Sequence, residues 1–258
     1  MSEFAGANPT VPNAARIYNY FAGGKDNFEV DRAAAEVVLS MAPEVRDAVR
    51  ENRDFLVRAV EHLVKNEGIR QFIDIGAGIP TVRPVHEVAQ AIDPTAAVAY
   101  IDNDTVVLVH ARALLATNPA TIVMDADVLD PEAILDAPEL RALIDLTEPV
   151  AVLLIAILHF VPDHDDPAGL VRRLLDRLPS GSFVVITHLS DGGLPDDPRI
   201  AKTQALYGGG LYMRPYEAVE TLFNGLDLTA PGLVGVSSWP TPITDNTSWW
   251  LGGMARKP

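Results

Sequence analysis

The feature that most constrains the fold of this chain is a run of nine apolar residues, 150–158 (Val-Ala-Val-Leu-Leu-Ile-Ala-Ile-Leu). Successive side chains of a strand point to opposite faces of a sheet, so a half-buried strand alternates apolar with polar residues. This run does not alternate. Both faces of the strand are therefore covered, and that requires helices on either side of a sheet. As a bilayer-spanning helix the run is less than half long enough. The flanking sequence agrees with a covered strand. From Gly68 onward, short apolar segments at 71–75, 98–101, 121–124, 150–157 and 183–187 alternate with helical patterns at 85–92, 106–115, 131–143 and 168–178. Such alternation predicts an α/β fold with a doubly wound, mostly parallel sheet. Helical stretches at 200–207 and 216–223 precede two late strands, 228–236 and 249–254, with no crossover helix between them, which points to antiparallel pairing.

Before Gly68 the chain reads as helices. An alanine-rich helix covers 31–39 with Asp31 as its N-cap. A second starts at Pro43, carries Val45, Val49, Leu56, Val60 and Leu63 on one face, and stops at Gly68. A length of 258 residues fits one core, so we expect a single domain, 1–258, with 1–67 as a helical cap and 68–258 as the α/β core. Its composition, 48% hydrophobic and 21% charged, is that of a globular protein. A net charge of −15 repels phosphate backbones and anionic membranes, so neither nucleic acid nor membrane is expected as a partner. A small neutral or cationic ligand fits. With no cysteine, thiolate zinc sites, iron–sulfur clusters and cysteine nucleophiles are ruled out. No secretory signal is read at the N-terminus, so the cytoplasm is the expected location.

The first strand, Phe72-Ile73-Asp74-Ile75, runs into Gly76-Ala77-Gly78-Ile79-Pro80-Thr81. Glycines 76 and 78 allow a tight turn and the close approach of a ligand to the backbone, and Pro80 suits the first turn of the next helix. The second strand ends in Asp102-Asn103-Asp104, with Asp102 twenty-four residues beyond Gly78. A doubly wound nucleotide site puts its ribose-binding carboxylate there. Asp102 is assigned to the ribose and Asp104 to the cap of the following helix, with a capping role open to either. The third strand ends in Asp125-Ala126-Asp127, a third acid at the same sheet edge. A dinucleotide site wants Gly or Ala at position 81, where this chain has Thr81, and Asp74 would repel a pyrophosphate. A ligand bearing an ammonium and a sulfonium but no phosphate reverses that sign. S-adenosylmethionine is such a ligand.

These segments carry a resemblance. Ala15-Arg16-Ile17-Tyr18-Asn19-Tyr20 leading into Gly23-Gly24-Lys25-Asp26-Asn27, the 72–81 turn, residues 100–104, Ala156 through Asp163, and Pro231-Gly232-Leu233 together resemble the class I S-adenosylmethionine-dependent methyltransferases. More narrowly, the chain is similar to an actinobacterial family of S-adenosyl methyltransferases of unknown substrate, whose hallmarks include the Gly-Gly-Lys-Asp-Asn segment and the Gly-x-Pro-Thr ending. Pro80 departs from the broad class, where a third glycine is usual. The resemblance implies a seven-stranded sheet with an antiparallel last strand, and methyl transfer from S-adenosylmethionine to an unidentified small molecule. Tyr20, Asp26, Asn27, Asp74, Gly76, Ala77, Gly78, Asp102, Asn103, Asp125, Ala126, Ala156 and Leu158 are the expected cofactor-binding residues. A module that binds the cofactor without turnover is the alternative, and a nicotinamide dehydrogenase is disfavoured by Asp74 and Thr81.

Other residues carry two readings each. Residues 20–27 form either a lid over the cofactor, with Tyr20 packing on it, or a simple turn. His159, at the end of the central strand, is either a general base or packed support. Phe160, Tyr207, Tyr212 and Arg214 are the expected substrate contacts; the 207–214 stretch otherwise only joins two helices. Asp163, His164, Asp165 and Asp166 sit in a proline-bracketed loop where neighbouring side chains seldom converge, so no metal is expected. His62, His86 and His110 read as surface residues of helices, and His188 as a weaker pocket candidate. Of the Trp249-Trp250 pair, one ring is expected inside the fold and one near the rim.

Overall fold

Three helices open the computed structural model, which describes residues 8–241 and 249–258: α1 (Ala14–Phe21), α2 (Glu29–Met41) and α3 (Val45–Lys65). Then strands and helices alternate: β1 (Gln71–Ile75), α4 (Val85–Gln90), β2 (Ala97–Asp102), α5 (Thr105–Leu114), β3 (Thr121–Asp125), α6 (Pro131–Asp136), α7 (Pro138–Leu143), β4 (Ala151–Ile155), α8 (Pro167–Asp176) and β5 (Phe183–Leu189). Two more helices, α9 (Pro198–Leu206) and α10 (Tyr216–Glu220), precede β6 (Asp227–Leu228), β7 (Val234–Gly235) and β8 (Trp250–Arg256). The sheet order is β3-β2-β1-β4-β5-β8-β6, with β7 also paired to β8. The first five strands are mutually parallel, while β8 runs antiparallel to β5 from Phe183↔Arg256 to Leu189↔Trp250.

The nine-residue apolar run becomes β4, covered as its lack of alternation requires. Val152 and Leu154 join Ile73, Ile101 and Ile186 in a core under α6, α7 and α8, while Ala151, Leu153 and Ile155 join Phe72, Val98 and Val185 under α3, α4 and α5. A third cluster of Ile17, Phe21, Ala34, Ala35, Val38 and Val49 packs α1 and α2 against the start of α3. So α3 is shared: Val49 belongs to the cap, and Phe55, Leu56, Val60 and Leu63 form the layer over the sheet. Packing therefore does not divide at residue 67.

Four local expectations change. The strand expected at 228–236 is split into β6 and β7, both on the free edge of β8, because Pro231 lacks the N–H a ladder needs. The sheet thus has eight strands in seven positions. The helix expected at 131–143 breaks at Pro138, which starts α7. Pro80 does not open a helix; α4 begins at Val85 with Pro84 as its cap residue, and 79–84 is a loop. Asp31 is not an N-cap but the third residue of α2, fully buried, where its carboxylate accepts from Asn13 N (2.9 Å), Phe28 N (2.8 Å) and Arg16 Nε (2.7 Å). That buried pair ties the N-terminal strap to the cap; removing one partner of such a pair costs about 3–5 kcal/mol. Among the described residues no helix is long and apolar enough to cross a membrane.

Candidate active site

The order in which strands join the sheet reverses between the parallel neighbours β1 and β4, and in open α/β sheets the crevice at that point, outside the carboxyl ends of the strands, receives ligands. A cavity of about 440 Å³ lies there. Its two sides differ.

On the β1–β2–β3 side the wall is backbone and acid. The turn after β1 places Gly76, Ala77 and Gly78 in the lining. Gly76 (φ 73°) is pressed against Ile157, whose side chain lies 2.7 Å from where a Cβ would stand. Gly78 (φ 67°) faces open space, with no atom within 4 Å of its Cβ position. Asp102 holds this turn: its Oδ2 accepts from Gly78 N at 2.9 Å and its Oδ1 from Asp104 N at 2.9 Å. Asp104 caps α5 through Val106 N and Val107 N and also accepts from Asn13 Nδ2 at 2.7 Å, so the strap reaches the cavity. Asp127 lines the rim and accepts from Asn103 Nδ2 at 3.0 Å.

Electrostatics follow from burial. Asp74 is 5% exposed, and desolvation, reinforced by Asp102, pushes its carboxyl up to about 7 against the opposing pull of Arg53. Burial also raises Asp102, opposed by its backbone hydrogen bonds. Arg53, on α3, brings a cation to this lining, and its Nε is buried without a hydrogen-bond partner among the described residues. Thr81 Oγ1 is equally orphaned. Buried polar atoms are seldom left so in a finished protein, and both belong to residues that line the cavity.

The β4–β5–β8 side is made of side chains. Ala156 leaves β4 in a left-handed conformation (φ 60°), an arrangement that costs about 1 kcal/mol in a non-glycine residue and is concentrated at functional sites. His159 and Phe160 follow, both in the lining. His159 is 2% exposed and meets Phe160, His188 and Trp250 edge-on at 4.5, 5.5 and 5.5 Å. Burial, then His188 and Arg214, hold its pKa well below the usual range, so the ring is neutral. The N–H of Leu189 points at Nδ1 from 3.4 Å, which assigns the ring proton to Nε2 and engages the lone pair a base would use. Opposite stand Tyr18 and Phe21 of α1, residues of α9, and Trp249 and Trp250.

Of the residues expected from sequence, Asp74, Gly76, Ala77, Gly78, Asp102, Asn103, Ala156, His159, Phe160 and Tyr207 share this one cavity. The rest lie elsewhere. Tyr20 is turned outward, its hydroxyl donating to Glu36 and its ring under Arg46. Asp26 lies 3.4 Å from His110, and Asn27 Nδ2 donates to Asn19 Oδ1 and Gly24 O. Residues 22–27 therefore form a tied turn outside the lining, and of the 20–27 segment Phe21 alone reaches it. Asp125 is exposed at the end of β3, and Ala126 donates its N–H to Asp102 O. Leu158 is buried in the core, and Tyr212 hands its N–H to His159 O at 2.7 Å. Arg214, expected as a substrate contact, lies outside the lining. Only 7% exposed, it donates to Leu158 O, Val161 O, Asp163 Oδ1 and His188 Nε2, clamping the turn that carries His159 and Phe160. His188 is correspondingly interior, its pKa lowered to about 4 by burial. His86 too is buried, not superficial, its N–H donating to Tyr100 Oη. Both tryptophans reach the cavity, Trp250 buried and Trp249 half-buried beneath Arg199. Sequence reasoning missed Asn13, Tyr18, Arg53, Asp127 and Arg199. Only Asp127, beside Asp125, carried a signal.

Fold and site together define a class I methyltransferase architecture. The model of the S-adenosyl methyltransferase family matches residues 5–258, and the chain belongs to that family: it is an S-adenosylmethionine-dependent methyltransferase. Two solved structures from actinobacteria are similar over nearly the whole chain. A DUF574 family protein from Streptomyces avermitilis is 42% identical, covering 96% of this chain and 98% of its own with a TM-score of 0.88. A candidate methyltransferase from Thermobifida fusca is 38% identical, covering 96% of each chain with a TM-score of 0.87. The N-methyltransferase NodS from Bradyrhizobium japonicum shares the fold at 11% identity, with a TM-score of 0.51 over 81% of this chain and 97% of its own. No curated protein matches.

Proposed function

We propose that S-adenosylmethionine binds along the β1–β2–β3 edge of this cavity and that a small-molecule acceptor occupies the β4–β5–β8 side. The observation that carries the reading is convergence: three successive strand ends bring a glycine turn and four carboxylates (Asp74, Asp102, Asp104, Asp127) to one lining. That wall repels a phosphate and suits a ligand with an ammonium, a sulfonium and two ribose hydroxyls. In this reading Gly76 to Gly78 admit the cofactor to the backbone, and the free lone pairs of Asp102 accept from the ribose. Asp74 faces positive charge, and the unpartnered Arg53 Nε meets the carboxylate of the methionine portion.

The cofactor supplies an electrophilic methyl group. The acceptor's lone pair forms the new bond to carbon while the sulfur–carbon bond breaks with its electron pair left on sulfur, and the acceptor's proton passes to water. The protein's work is positioning, which supplies several kcal/mol when two reactants are held in line. His159 serves there as an aromatic wall and a donor through Nε2, not as a general base.

Calorimetry tests the reading directly. S-adenosylmethionine and S-adenosylhomocysteine should bind, and NAD and ATP should not. Tight NAD binding would overturn it.

A further inference from the structure

The cofactor reading leaves half of the cavity wall unexplained. On α9 and its cap residue, Ile200, Thr203 and Tyr207 recur at spacings of three and four, and all three line the cavity, so one helix face is turned toward it. The Tyr207 ring meets Phe160 with centroids 5.9 Å apart and planes tilted by 40°. Tyr18 and Trp249 stand in the same lining. A wall of rings takes flat apolar bodies, because offset and edge-on contacts add to the area they bury. Charge points the same way. Of the ionised groups on this side, Arg199 lies 2.7 Å from Asp197 and 4.0 Å from Glu44, with its guanidinium over Trp249, and so is already matched. Two carboxylates share this guanidinium, so an anionic acceptor finds no unpaired cation among the described residues of this side. The wall also carries polar groups, the Tyr207 hydroxyl among them. Tyr207 Oη makes no hydrogen bond among the described residues, although burial alone has raised its pKa.

We infer that the methyl acceptor is a flat, uncharged aromatic molecule with a hydrogen-bonding substituent, held against Phe160 and Tyr207, with the Tyr207 hydroxyl reading the substituent. This rests on the cofactor reading above. It makes the cavity-facing side of α9, together with the Phe160 turn clamped by Arg214, the part of the molecule that sets specificity.

The test titrates probes into the full chain saturated with S-adenosylhomocysteine: 2-naphthol as the aromatic probe, and glucose 6-phosphate and spermidine as anionic and cationic contrasts. 2-Naphthol should bind and the other two should not. Phe160→Ala should weaken 2-naphthol at least tenfold, and Tyr207→Phe, which keeps the ring and removes only the hydroxyl, about three- to tenfold. S-adenosylhomocysteine affinity should stay unchanged in both variants. Binding of glucose 6-phosphate or spermidine as tightly as 2-naphthol, or indifference of 2-naphthol to Phe160→Ala, would overturn the inference while leaving the cofactor reading intact. Failure of S-adenosylhomocysteine to bind the wild-type chain would overturn both.

Discussion

The two sides of the cavity are built by different means. The cofactor side is largely one continuous stretch of chain, from the turn at Gly76 to the rim at Asp127, and its key groups are backbone N–H donors, strand-end carboxylates and the space a missing Cβ leaves at Gly78. The acceptor side is gathered from remote segments, including Tyr18 on α1, Phe160 after β4, α9, and Trp249 before β8. One side is shaped by where the backbone runs, the other by which side chains happen to face inward. Backbone geometry tolerates little change, whereas a side-chain wall can be altered without disturbing the fold.

Substitutions should therefore hurt the cofactor side most, and the largest effect is expected at Gly78. Gly78→Val puts a branched side chain into the space left open for a ligand and strains a backbone at φ 67°. S-adenosylhomocysteine binding should fall by more than about a hundredfold, beyond the roughly 2.7 kcal/mol that a thermal-shift assay at a hundred times Kd would read. Normal binding in a folded variant would reduce the turn to a mere connection.

Asp102→Ala comes next. A charged hydrogen bond contributes about 1.5–3 kcal/mol, so affinity should drop about ten- to a hundredfold in calorimetry. The ligand-free melting temperature should fall as well, because Gly78 N and Asp104 N lose their acceptor. Arg53→Met sharpens the comparison within the cofactor side. It should weaken S-adenosylhomocysteine about tenfold yet leave 5′-methylthioadenosine, which lacks the amino-acid portion, unaffected. Equal losses for both would remove Arg53 from the carboxylate.

The pH dependence is smaller and has a definite sign. Asp74 has its pKa raised to about 7 by burial, so the folded chain holds this proton more tightly than the unfolded chain does. Its contribution to stability is complete below the unfolded value near 4 and is lost as pH rises through about 7. Ligand-free Asp74→Asn should therefore melt higher than wild type at pH 8, with the gap closing at pH 4. A cationic ligand prefers the carboxylate, so S-adenosylmethionine affinity should climb severalfold from pH 6 to 7.5 in wild type and stay flat in Asp74→Asn. Smallest of all, Tyr20→Ala should leave cofactor affinity unchanged, since that ring faces Arg46 and Glu36.

What could be read from sequence follows the same division. The parallel strands were legible because burial on two faces writes itself as an apolar run, and the cofactor turn because a tight strand-to-helix crossing needs glycines at fixed offsets. Proline misled three times: Pro231 split a strand, Pro138 broke a helix whose apolar period continued through it, and Pro80 sat before a helix that waited for Val85. Asp31 and Arg214 resembled a cap and a ligand contact because sequence shows a charge but not its partner. Each is instead a buried anchor. Arg53 and Tyr18 could not be placed, for nothing local says which residues of a helix face a cavity that other segments complete.

The division of the cavity is tested most directly by hydrogen exchange on the wild-type chain, with and without saturating S-adenosylhomocysteine. We expect slowed exchange at residues 76–79 and 102–104, whose amides belong to the turn and the strand end that meet the ligand, and unchanged exchange at 200–213 along the acceptor wall. Protection confined to 200–213, with none at the glycine turn, would contradict the assignment of the acidic edge to the cofactor.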